Sequence, residues 1–355
     1  MQSKIFTSLT DEIYQQWESS WLKSPHANYT NSPYWFKSIL EQFDYKKCVI
    51  IVILKNEIPI GFAGLVRVKK YGISVYTVAP NDYVCGVPFL FDITDRKVSA
   101  ELYTCLERLG TVFLDNVPES FIKAMGKTSH TMDSHKFSAN YYLPLKLNEN
   151  GVVEFASRKR FLRRIKHAPE KFTLHTCTCK NKDCIVKAFT IDAVSTKHMY
   201  GYNCFSSNFM KNFYKRLARQ FKDNFRLDIL YFENTPIAYE IGFVSAGTYY
   251  ENQCAYIGEY QQYAPGNVIT TYLLDAIAKD GVTKADFGSG DTHKKRLITQ
   301  EYENLYKVTI SKNSVIRLHF HNLDKTKSSL YQKVEKNKKV YSFYRKVKNI
   351  SHNVL

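Results

Sequence analysis

The sequence of 355 residues lacks the long apolar segments of a membrane-spanning protein. No uninterrupted apolar run reaches the roughly 18 residues that a transmembrane helix requires. The N-terminal stretch MQSKIFTSLTDEIYQQW carries acidic residues early and has no apolar core of the signal-peptide kind. We therefore expect a cytoplasmic protein, with at most a peripheral contact to the inner face of a membrane.

Cysteine is too thinly spread for a protein that depends on disulfides. Eight cysteines are scattered through a chain that is long enough to bury its own core, and we expect them to be reduced. One cluster offers several potential metal ligands: His175, Cys177, Cys179 and Cys184. The single residue between Cys177 and Cys179 differs from the usual zinc-site spacing of about two to four residues, and alternating Thr and Cys is typical of a strand. We predict a strand here and no metal site.

Acidic residues are few relative to basic ones. The chain has 33 Asp and Glu against 50 Lys and Arg, which gives a net charge of +17. This charge favours phosphate-bearing partners such as nucleotides, nucleic acids, anionic lipids or sugar-phosphate carriers. Hydrophobic residues at 44% are ordinary for a globular protein, and the length predicts two domains.

Acids are also missing locally. A helix predicted over Val153–His167 carries six basic residues within Arg158–Lys166 and no acid in that interval. Guanidinium groups suit phosphate, so Arg160, Arg163 and Arg164 are candidate ligands for a diphosphate carrier, an acidic sugar or tRNA. The alternative is a solvated, charge-rich helix face.

A short pattern occurs twice in the sequence. Residues 54–66 (LKNEIPIGFAGLV) and 231–244 (YFENTPIAYEIGFV) share a strand, an Asn-containing turn, a Pro-Ile pair and a returning strand. Each copy predicts a hairpin, and their separation predicts two related halves. Periodicity predicts further strands at 73–79, 87–92, 111–115, 139–145, 171–178, 247–257 and 305–310. Helices are predicted at 8–23, 31–43, 97–109, 183–200 and 206–220.

The most informative stretch runs from Glu259 to Asp291. It reads as a strand end, a Pro-Gly loop, an amphipathic helix, a tight turn, a buried strand and a Gly-rich turn. A helix that begins beside a glycine presents free backbone N–H groups and the positive end of its dipole, which suits a phosphate. The stretch therefore predicts an anion-binding unit, with a helix that only packs on the sheet as the alternative.

Three segments resemble the CelD-like GNAT acetyltransferases of cell-envelope polysaccharide systems and, more distantly, the FemABX aminoacyl transferases. They are Arg158–Ile165; Asn234–Ala238 with Gln253–Tyr256 and Tyr263–Gly266; and Ala285–Asp291 followed by Lys294 or Lys295. The resemblance implies an α/β (α+β) fold of two tandem GNAT-like halves, each a mixed sheet flanked by helices. The expected divisions are residues 1–150, 151–320 and a basic helical tail at 321–355.

The same resemblance implies an acyltransferase site in the second half. The donor pyrophosphate would lie on the loop and helix start formed by Pro265, Gly266, Asn267 and Val268. Candidate proton-transfer residues are Glu240, Glu251, Asp286, Asp291 and His293, each with a structural alternative such as a cap, an ion pair or plain surface. Tyr256 and Tyr263 are candidates for protonating a leaving thiolate, and the arginines named above are candidates for acceptor binding.

Three functions follow from the resemblance. The first is acetyl transfer from acetyl-CoA to a hydroxyl or amine of an envelope sugar or its lipid-linked precursor. Gln262 is followed by Pro265-Gly266-Asn267 instead of the usual Gln/Arg-x-x-Gly-x-Gly/Ala, which leaves an aminoacyl-tRNA donor as the second. The third is a basic binding protein without chemistry. Protein kinases also contain the Asp-Phe-Gly triplet of residues 286–288, but no Gly-rich loop or His-Arg-Asp accompanies it here.

Overall fold

The computed structural model describes residues 1–43, 45, 47–78, 86–126, 130–177, 182–201 and 203–335, without the side chains of 182 and 327–335. The chain forms two compact units. The first comprises residues 1–141, 288–291 and 302–329. The second comprises residues 142–287 and 292–301, with the described residues 330–335 assigned to it.

The described helices are α1 (Asp11–Lys23), α2 (Pro33–Phe43), α3 (Arg96–Arg108), α4 (Glu119–Met125), α5 (Arg158–Leu162), α6 (Lys182–Ala193), α7 (Thr196–Met199), α8 (Asn208–Phe221), α9 (Pro265–Lys279), α10 (His293–Ile298) and α11 (Ser314–Glu335). The described strands are β1 (Gln2–Phe6), β2 (Cys48–Lys55), β3 (Ile58–Lys70), β4 (Ile73–Thr77), β5 (Val112–Pro118), β6 (Met132–Pro144), β7 (Phe172–Cys177), β8 (Phe225–Phe232), β9 (Thr235–Ser245), β10 (Thr248–Tyr256), β11 (Lys284–Ser289) and β12 (Tyr302–Ile310). The predicted fold class is confirmed: mixed sheets are flanked by helices in an α+β arrangement.

The first unit is built on a sheet with the strand order β1-β2-β3-β4-β5-β12-β6. Its neighbouring strands are antiparallel except for β4 and β5, which are parallel. β2 and β3 form the predicted hairpin, and the turn residues Asn56 and Glu57 have φ of 51° and 64°. Residues 49–54 of β2 are buried on both faces, which explains why this strand reads as a continuous apolar run.

Helix α1 illustrates how the first unit forms its core. Trp17 and Trp21 are four residues apart and therefore share one helix face; each is 2% exposed. The Trp17 ring stacks on Phe62 with centroids 5.6 Å apart. Both indole N–H groups donate to backbone carbonyls, at 3.0 Å and 2.8 Å, so the polar atoms of these large side chains are satisfied inside the core.

The strand predicted at 87–92 is wrong. Only Leu90 pairs, through an isolated bridge to Phe62 in which each backbone N–H donates to the other's carbonyl, at 2.8 Å and 2.9 Å. Pro88 lies inside the predicted strand and has no N–H to give a ladder.

The second unit has the strand order β11-β10-β9-β8-β7. β7, β8, β9 and β10 are antiparallel, and β8 and β9 form the second predicted hairpin. β10 and β11 are parallel, but they pair only over Thr248–Tyr250 and Lys284–Asp286. Beyond this point β10 has a bulge between Glu251 and Gln253 and continues beside β9 alone. The two parallel strands therefore separate along their length.

Helix α9 confirms the helix predicted after the Pro-Gly loop. Its apolar face, which includes Val268, Ile269, Leu273 and Ile277, is buried. After the helix, Gly281 adopts a positive φ of 86°, which favours glycine at a helix end. The chain then continues through Val282 to β11.

The long basic helix predicted over Val153–His167 is wrong. Helical structure is confined to the five residues of α5 and a 3₁₀ turn at Arg163–Ile165. The cause is the carboxylate of Asp275 on α9, which accepts the Val153 N–H at 2.8 Å and a bidentate pair of bonds from Arg158 at 2.8 Å and 2.7 Å. These contacts hold the segment before α5 as a loop.

The expectation of eight reduced cysteines is wrong for one pair. Cys177 at the end of β7 and Cys184 in α6 form a disulfide, with Cα atoms 6.1 Å apart. This Cα separation lies within the range that a disulfide requires. His175 has a ring nitrogen within 4.8 Å of both sulfur atoms, whereas Cys179 lies outside the described residues.

None of the helices in the described ranges is both long and apolar enough to cross a membrane. The predicted basic tail is described only as far as Glu335, where α11 ends, and residues 336–355 lie outside the described part of the chain.

Candidate active site

A buried carboxyl group lies on the second unit's sheet close to the point where β10 and β11 separate. Glu240 on β9 is 1% exposed. Its Oε1 accepts a hydrogen bond from the Tyr249 hydroxyl at 3.3 Å, and its Oε2 lies 3.1 Å from Oγ1 of Thr270 on α9. Burial, followed by the negative charge of Glu251, raises the pKa of Glu240 to about 8. Glu240 is therefore mostly protonated at neutral pH.

Proton counting around Thr270 agrees with a protonated Glu240. A threonine hydroxyl has one proton to donate. Thr270 Oγ1 lies 3.0 Å from the carbonyl oxygen of Gly266, which has no proton of its own, and it accepts from Lys294 Nζ at 2.7 Å. If Thr270 donates to Gly266, the Glu240 carboxyl must donate to Thr270. All three contacts are then satisfied.

Lys294, the second residue of α10, supplies the positive charge of the cluster. Burial lowers the pKa of its ammonium, but the negative charge of Glu251 and the nearby Cys254 and Glu240 outweigh burial and hold that pKa above its ordinary value. Lys294 is therefore charged while it touches Thr270. A charged donor in a partly desolvated site is suited to stabilising a developing oxyanion.

Glu251 occupies the β10 bulge and is only partly buried. Its Oε1 accepts a long hydrogen bond from the Cys254 thiol at 3.5 Å. Lys197 on α7 also lies in the field of these groups: burial lowers its pKa, but Cys254 and Glu251 act in the opposite direction and the pKa remains raised. Two glutamates, Glu240 and Glu251, and two lysines, Lys294 and Lys197, thus act on one another electrostatically. We refer to Glu240, Glu251, Thr270 and Lys294 as the glutamate–lysine cluster.

The start of α9 offers fewer anion ligands than the sequence predicts. Pro265 has no N–H, and the N–H groups of Asn267 and Val268 donate to the Ala264 carbonyl at 2.9 Å and 3.2 Å. Of the backbone N–H groups described at residues 266–268, that of Gly266 has no hydrogen-bond partner. Ala264 precedes the helix with φ of 53°, and no side chain caps it. One amide, together with the helix dipole, is therefore what this end presents to an anion.

The remaining predicted proton-transfer residues are Asp286, Asp291 and His293, and the contacts described above for the cluster do not include them. Asp286 is 6% exposed and lies on β11, in register with Tyr250. Asp291 belongs to the first unit, where its carboxylate accepts the Tyr141 hydroxyl at 2.9 Å. His293 is exposed at the start of α10, next to Lys294.

The two predicted tyrosines pack on apolar neighbours. Tyr263 stacks on Phe232 with ring centroids 5.1 Å apart, and Tyr256 is half-buried on the same apolar cluster as Val268. A Cβ built on Gly266 would meet the Tyr256 ring at 3.5 Å. Tyr256 therefore borders the helix start, whereas Tyr263 supports the turn before it.

Basic side chains around α5 line a cavity of about 610 Å³. Arg160 and Arg163 are exposed on it, together with Lys159 and Lys166. Arg158 also lines this cavity but is neutralised by Asp275 at 2.7 Å. Arg164 points elsewhere and donates to the carbonyls of residues 261 and 262, at 3.1 Å and 3.3 Å, in the turn that leads into α9.

A second cavity, of about 570 Å³, lies between α7 and the 3₁₀ turn Gly258–Tyr263. Thr196 and Met199 line one side and Tyr260 lines the other. The turn Gly258–Tyr263 leads directly into α9, so this cavity borders the chain segment that carries Gly266.

Sequence comparison shows which known domain family the region around the cluster resembles. Residues 156–296 match the family model described as an acetyltransferase (GNAT) domain. The matched range contains all four members of the glutamate–lysine cluster, so this part of the chain is similar to GNAT acetyltransferase domains. No curated protein matches this sequence.

Solved structures share the fold of nearly the entire chain. FemX is similar over 90% of this chain and 99% of its own, with a TM-score of 0.65 and 9% identity. The C-terminal domain of a putative lysylphosphatidylglycerol synthetase from Agrobacterium fabrum is similar over 88% and 96%, with a TM-score of 0.57 and 8% identity. L-PGS from Bacillus licheniformis is similar over 73% and 83%, with a TM-score of 0.51 and 10% identity. At these identities the similarity establishes the fold.

Proposed function

We propose that the protein is an acyltransferase whose chemistry takes place at the glutamate–lysine cluster. The observation that supports this most directly is the linked series Lys294–Thr270–Glu240, with contacts of 2.7 Å and 3.1 Å, beside the partly accessible Glu251. It combines a charged donor with two carboxyl groups held in different environments. Such a pair can divide the roles of acid and base.

The proposed reaction moves two protons. Glu251 accepts a proton from the attacking amine or hydroxyl while the new bond to the acyl carbon forms. The Lys294 ammonium stabilises the oxyanion of the tetrahedral intermediate. Glu240 then supplies its proton through Thr270 to the leaving group as the bond to the donor breaks. Because Thr270 lies one turn from Gly266 on α9, a leaving group near the helix start is within reach of this relay.

Acetyl-CoA is the first candidate donor. The GNAT domain match supports it, and so does the free Gly266 N–H at the positive end of α9. The acceptor would be a hydroxyl or amine of an envelope polysaccharide or of its lipid-linked precursor, reached from the inner face of the membrane.

An aminoacyl-tRNA donor is the second candidate, and one observation favours it. A single free amide is a weak cradle for a pyrophosphate, whereas the cavity beside α5 offers several cationic side chains for a phosphate backbone. This reading matches the resemblance to FemABX aminoacyl transferases. The name lysylphosphatidylglycerol synthetase further suggests an anionic lipid as acceptor.

Thermal unfolding with each donor separates the two candidates. A ligand at 100 times its dissociation constant stabilises the folded state by about 2.7 kcal/mol. We expect stabilisation by acetyl-CoA and CoA if the first donor is correct, and by aminoacyl-tRNA alone if the second is. Stabilisation by neither would contradict both.

Replacement of Gly266 by valine tests the donor site. The substitution should weaken donor binding by at least 10-fold, since the added methyl groups cover the one free amide of the helix start. The fold should be kept, because a Cβ at this position meets only the Tyr256 ring at 3.5 Å. Isothermal titration with the donor gives the affinity, and Gly266→Ala should show a smaller loss. Unchanged binding in Gly266→Val would remove the helix start from the donor site.

Charge reversal of Arg160 and Arg163 tests the basic cavity. The double change to glutamate should raise KM for an anionic acceptor by about 10-fold or more while sparing acetyl-CoA binding. Both side chains are exposed, so the fold should persist. Arg164 is left unchanged because it anchors the turn before α9.

A matched control carries the same change of charge on α8. Lys215 and Arg219 are exposed there and line neither cavity described above. Their replacement by glutamate should leave KM for the anionic acceptor within about 2-fold of the wild-type value. An equal rise in KM in both double variants would indicate a general effect of net charge.

A further inference from the structure

A second cluster of titratable side chains lies in the first unit, on elements that the proposed reaction does not use. Asp133 and His135 are two residues apart on β6 and therefore project from the same face of the strand. His321 and Asp324 are three residues apart on α11, on one face of that helix. We call these four residues the histidine cluster.

The ligand-type atoms of this cluster converge. His321 Nδ1 and Asp133 Oδ2 are 2.8 Å apart, and the two imidazole rings have centroids 5.2 Å apart. One nitrogen from each histidine and one oxygen of Asp133 all lie within 4.8 Å of one another. A tetrahedral zinc site with bonds of about 2.0–2.2 Å separates its ligand atoms by roughly 3.3–3.5 Å. Small side-chain rotations would therefore bring three ligands onto one ion.

Two atoms in the cluster lack the partners that buried polar atoms normally have. Among the described residues, His135 Nε2 is buried without a hydrogen-bond partner, and so is Oδ2 of Asp324. Asp324 is 0% exposed, and its other oxygen already accepts from the Tyr71 hydroxyl at 2.8 Å and from Lys307 at 3.1 Å. Asp324 is also the strongest charge acting on the His135 ring. An imidazole nitrogen and a nearby carboxylate oxygen are thus both available.

The charges around the cluster leave room for a cation. Lys70 pairs with Asp115 at 3.0 Å, and Lys307 lies 3.1 Å from Asp324 and 3.8 Å from Asp115. These two ammonium groups face three carboxylates once Asp133 is included. The two lysines therefore balance two of these three carboxylate charges. A divalent ion would more than offset the third and would satisfy the buried nitrogen.

We propose that His135, His321 and Asp133 bind one divalent transition-metal ion, zinc by preference, which fastens α11 to β6 within the first unit. Two imidazoles and one carboxylate are ligands that zinc accepts, and Asp324 supplies a further carboxylate beside them. The role is structural, because a metal that joins a strand to a helix stabilises their packing when it binds.

Metal titration of the full-length protein tests this site. The Cys177→Ser/Cys184→Ser variant is used throughout, so that the thiols near His175 cannot contribute ligands. After chelation and dialysis, isothermal titration should give one zinc ion per chain. Co²⁺ should bind in its place, with the visible absorption of a tetrahedral site and no thiolate charge-transfer band. Absence of zinc binding would overturn the proposal.

Single substitutions in the same background locate the ligands. His135→Ala and His321→Ala should each lower zinc affinity by at least 10-fold. Zinc should raise the Tm of the background protein but not that of these two variants. Asp133→Asn, which keeps the shape of the side chain, should also bind more weakly, so the test does not depend on the alanine variants folding well. His319→Ala removes an exposed histidine from α11 and should bind zinc with the affinity of the background protein. Equal affinity in all four variants would place the zinc elsewhere and refute the assignment.

Discussion

Replacement of Glu240 by glutamine should lower kcat for acyl transfer by about 100-fold and abolish the loss of activity at high pH. In the wild type, burial and then the charge of Glu251 raise the pKa of Glu240 to about 8. The residue therefore carries its proton at neutral pH and loses it as the pH rises through that value. A general acid that loses its proton stops working, so the wild-type rate should fall above about pH 8. Glutamine cannot titrate, and its residual activity should show no such decline.

A pH–rate profile for kcat with saturating donor measures this effect. Glu233→Gln is the matched control, because Glu233 is an exposed partner of Lys171 at the β8–β9 turn. Its profile should follow the wild type. A Glu240→Gln enzyme with normal kcat would show that the buried carboxyl is structural and that the proton for the leaving group comes from elsewhere.

The stability of the same variant checks the protonation state independently of activity. The pKa of Glu240 is higher in the folded state, about 8, than its ordinary value of 4.5. The folded state therefore binds the proton more tightly, and the resulting stabilisation is fully present below about pH 4.5 and is lost as the pH rises through about 8. Each tenfold difference in proton affinity corresponds to about 1.4 kcal/mol. Urea unfolding of Glu240→Gln should show a weaker decline in stability than the wild type between pH 5 and 8.

Local pattern was sufficient to predict most of the scaffold. The two hairpins, α9 and the buried strands follow from periodicity and from turn residues that lie next to one another in the sequence. The long basic helix was wrong for a reason that no local pattern contains. Asp275 is more than 100 residues from Arg158, and their ion pair replaces the helical start with a loop.

The candidate site was predictable in part. Glu240 and Glu251 could be selected because they lie on strands predicted to be central in the second half. Thr270 and Lys294 could not be assigned, because their roles rest on contacts made across α9 and α10. The sequence overestimates the capacity of Pro265–Val268 to bind an anion. It shows which backbone N–H groups exist, but only the structure shows that the Ala264 carbonyl already accepts two of them.

Lys294 should be at least as sensitive a position as Glu240. Replacement by methionine keeps much of the side-chain volume but removes the charge that stabilises the oxyanion, and kcat should fall by about 100- to 1,000-fold. Donor affinity should change by less than about 3-fold, because Lys294 acts in the transition state. Lys295→Met, at the next position of α10, is the matched control and should retain near-normal kcat.

The residual activity of Lys294→Met also tests the link to Glu240. The Lys294 charge acts to lower the pKa of Glu240, against burial and the Glu251 charge that raise it. Without the lysine that pKa should rise further, and the decline in residual activity should move to higher pH. Lys295→Met should leave the decline where it is in the wild type. If Lys294→Met lowers kcat without moving the decline, Lys294 and Glu240 act separately, and the relay through Thr270 is wrong even though both residues contribute to catalysis.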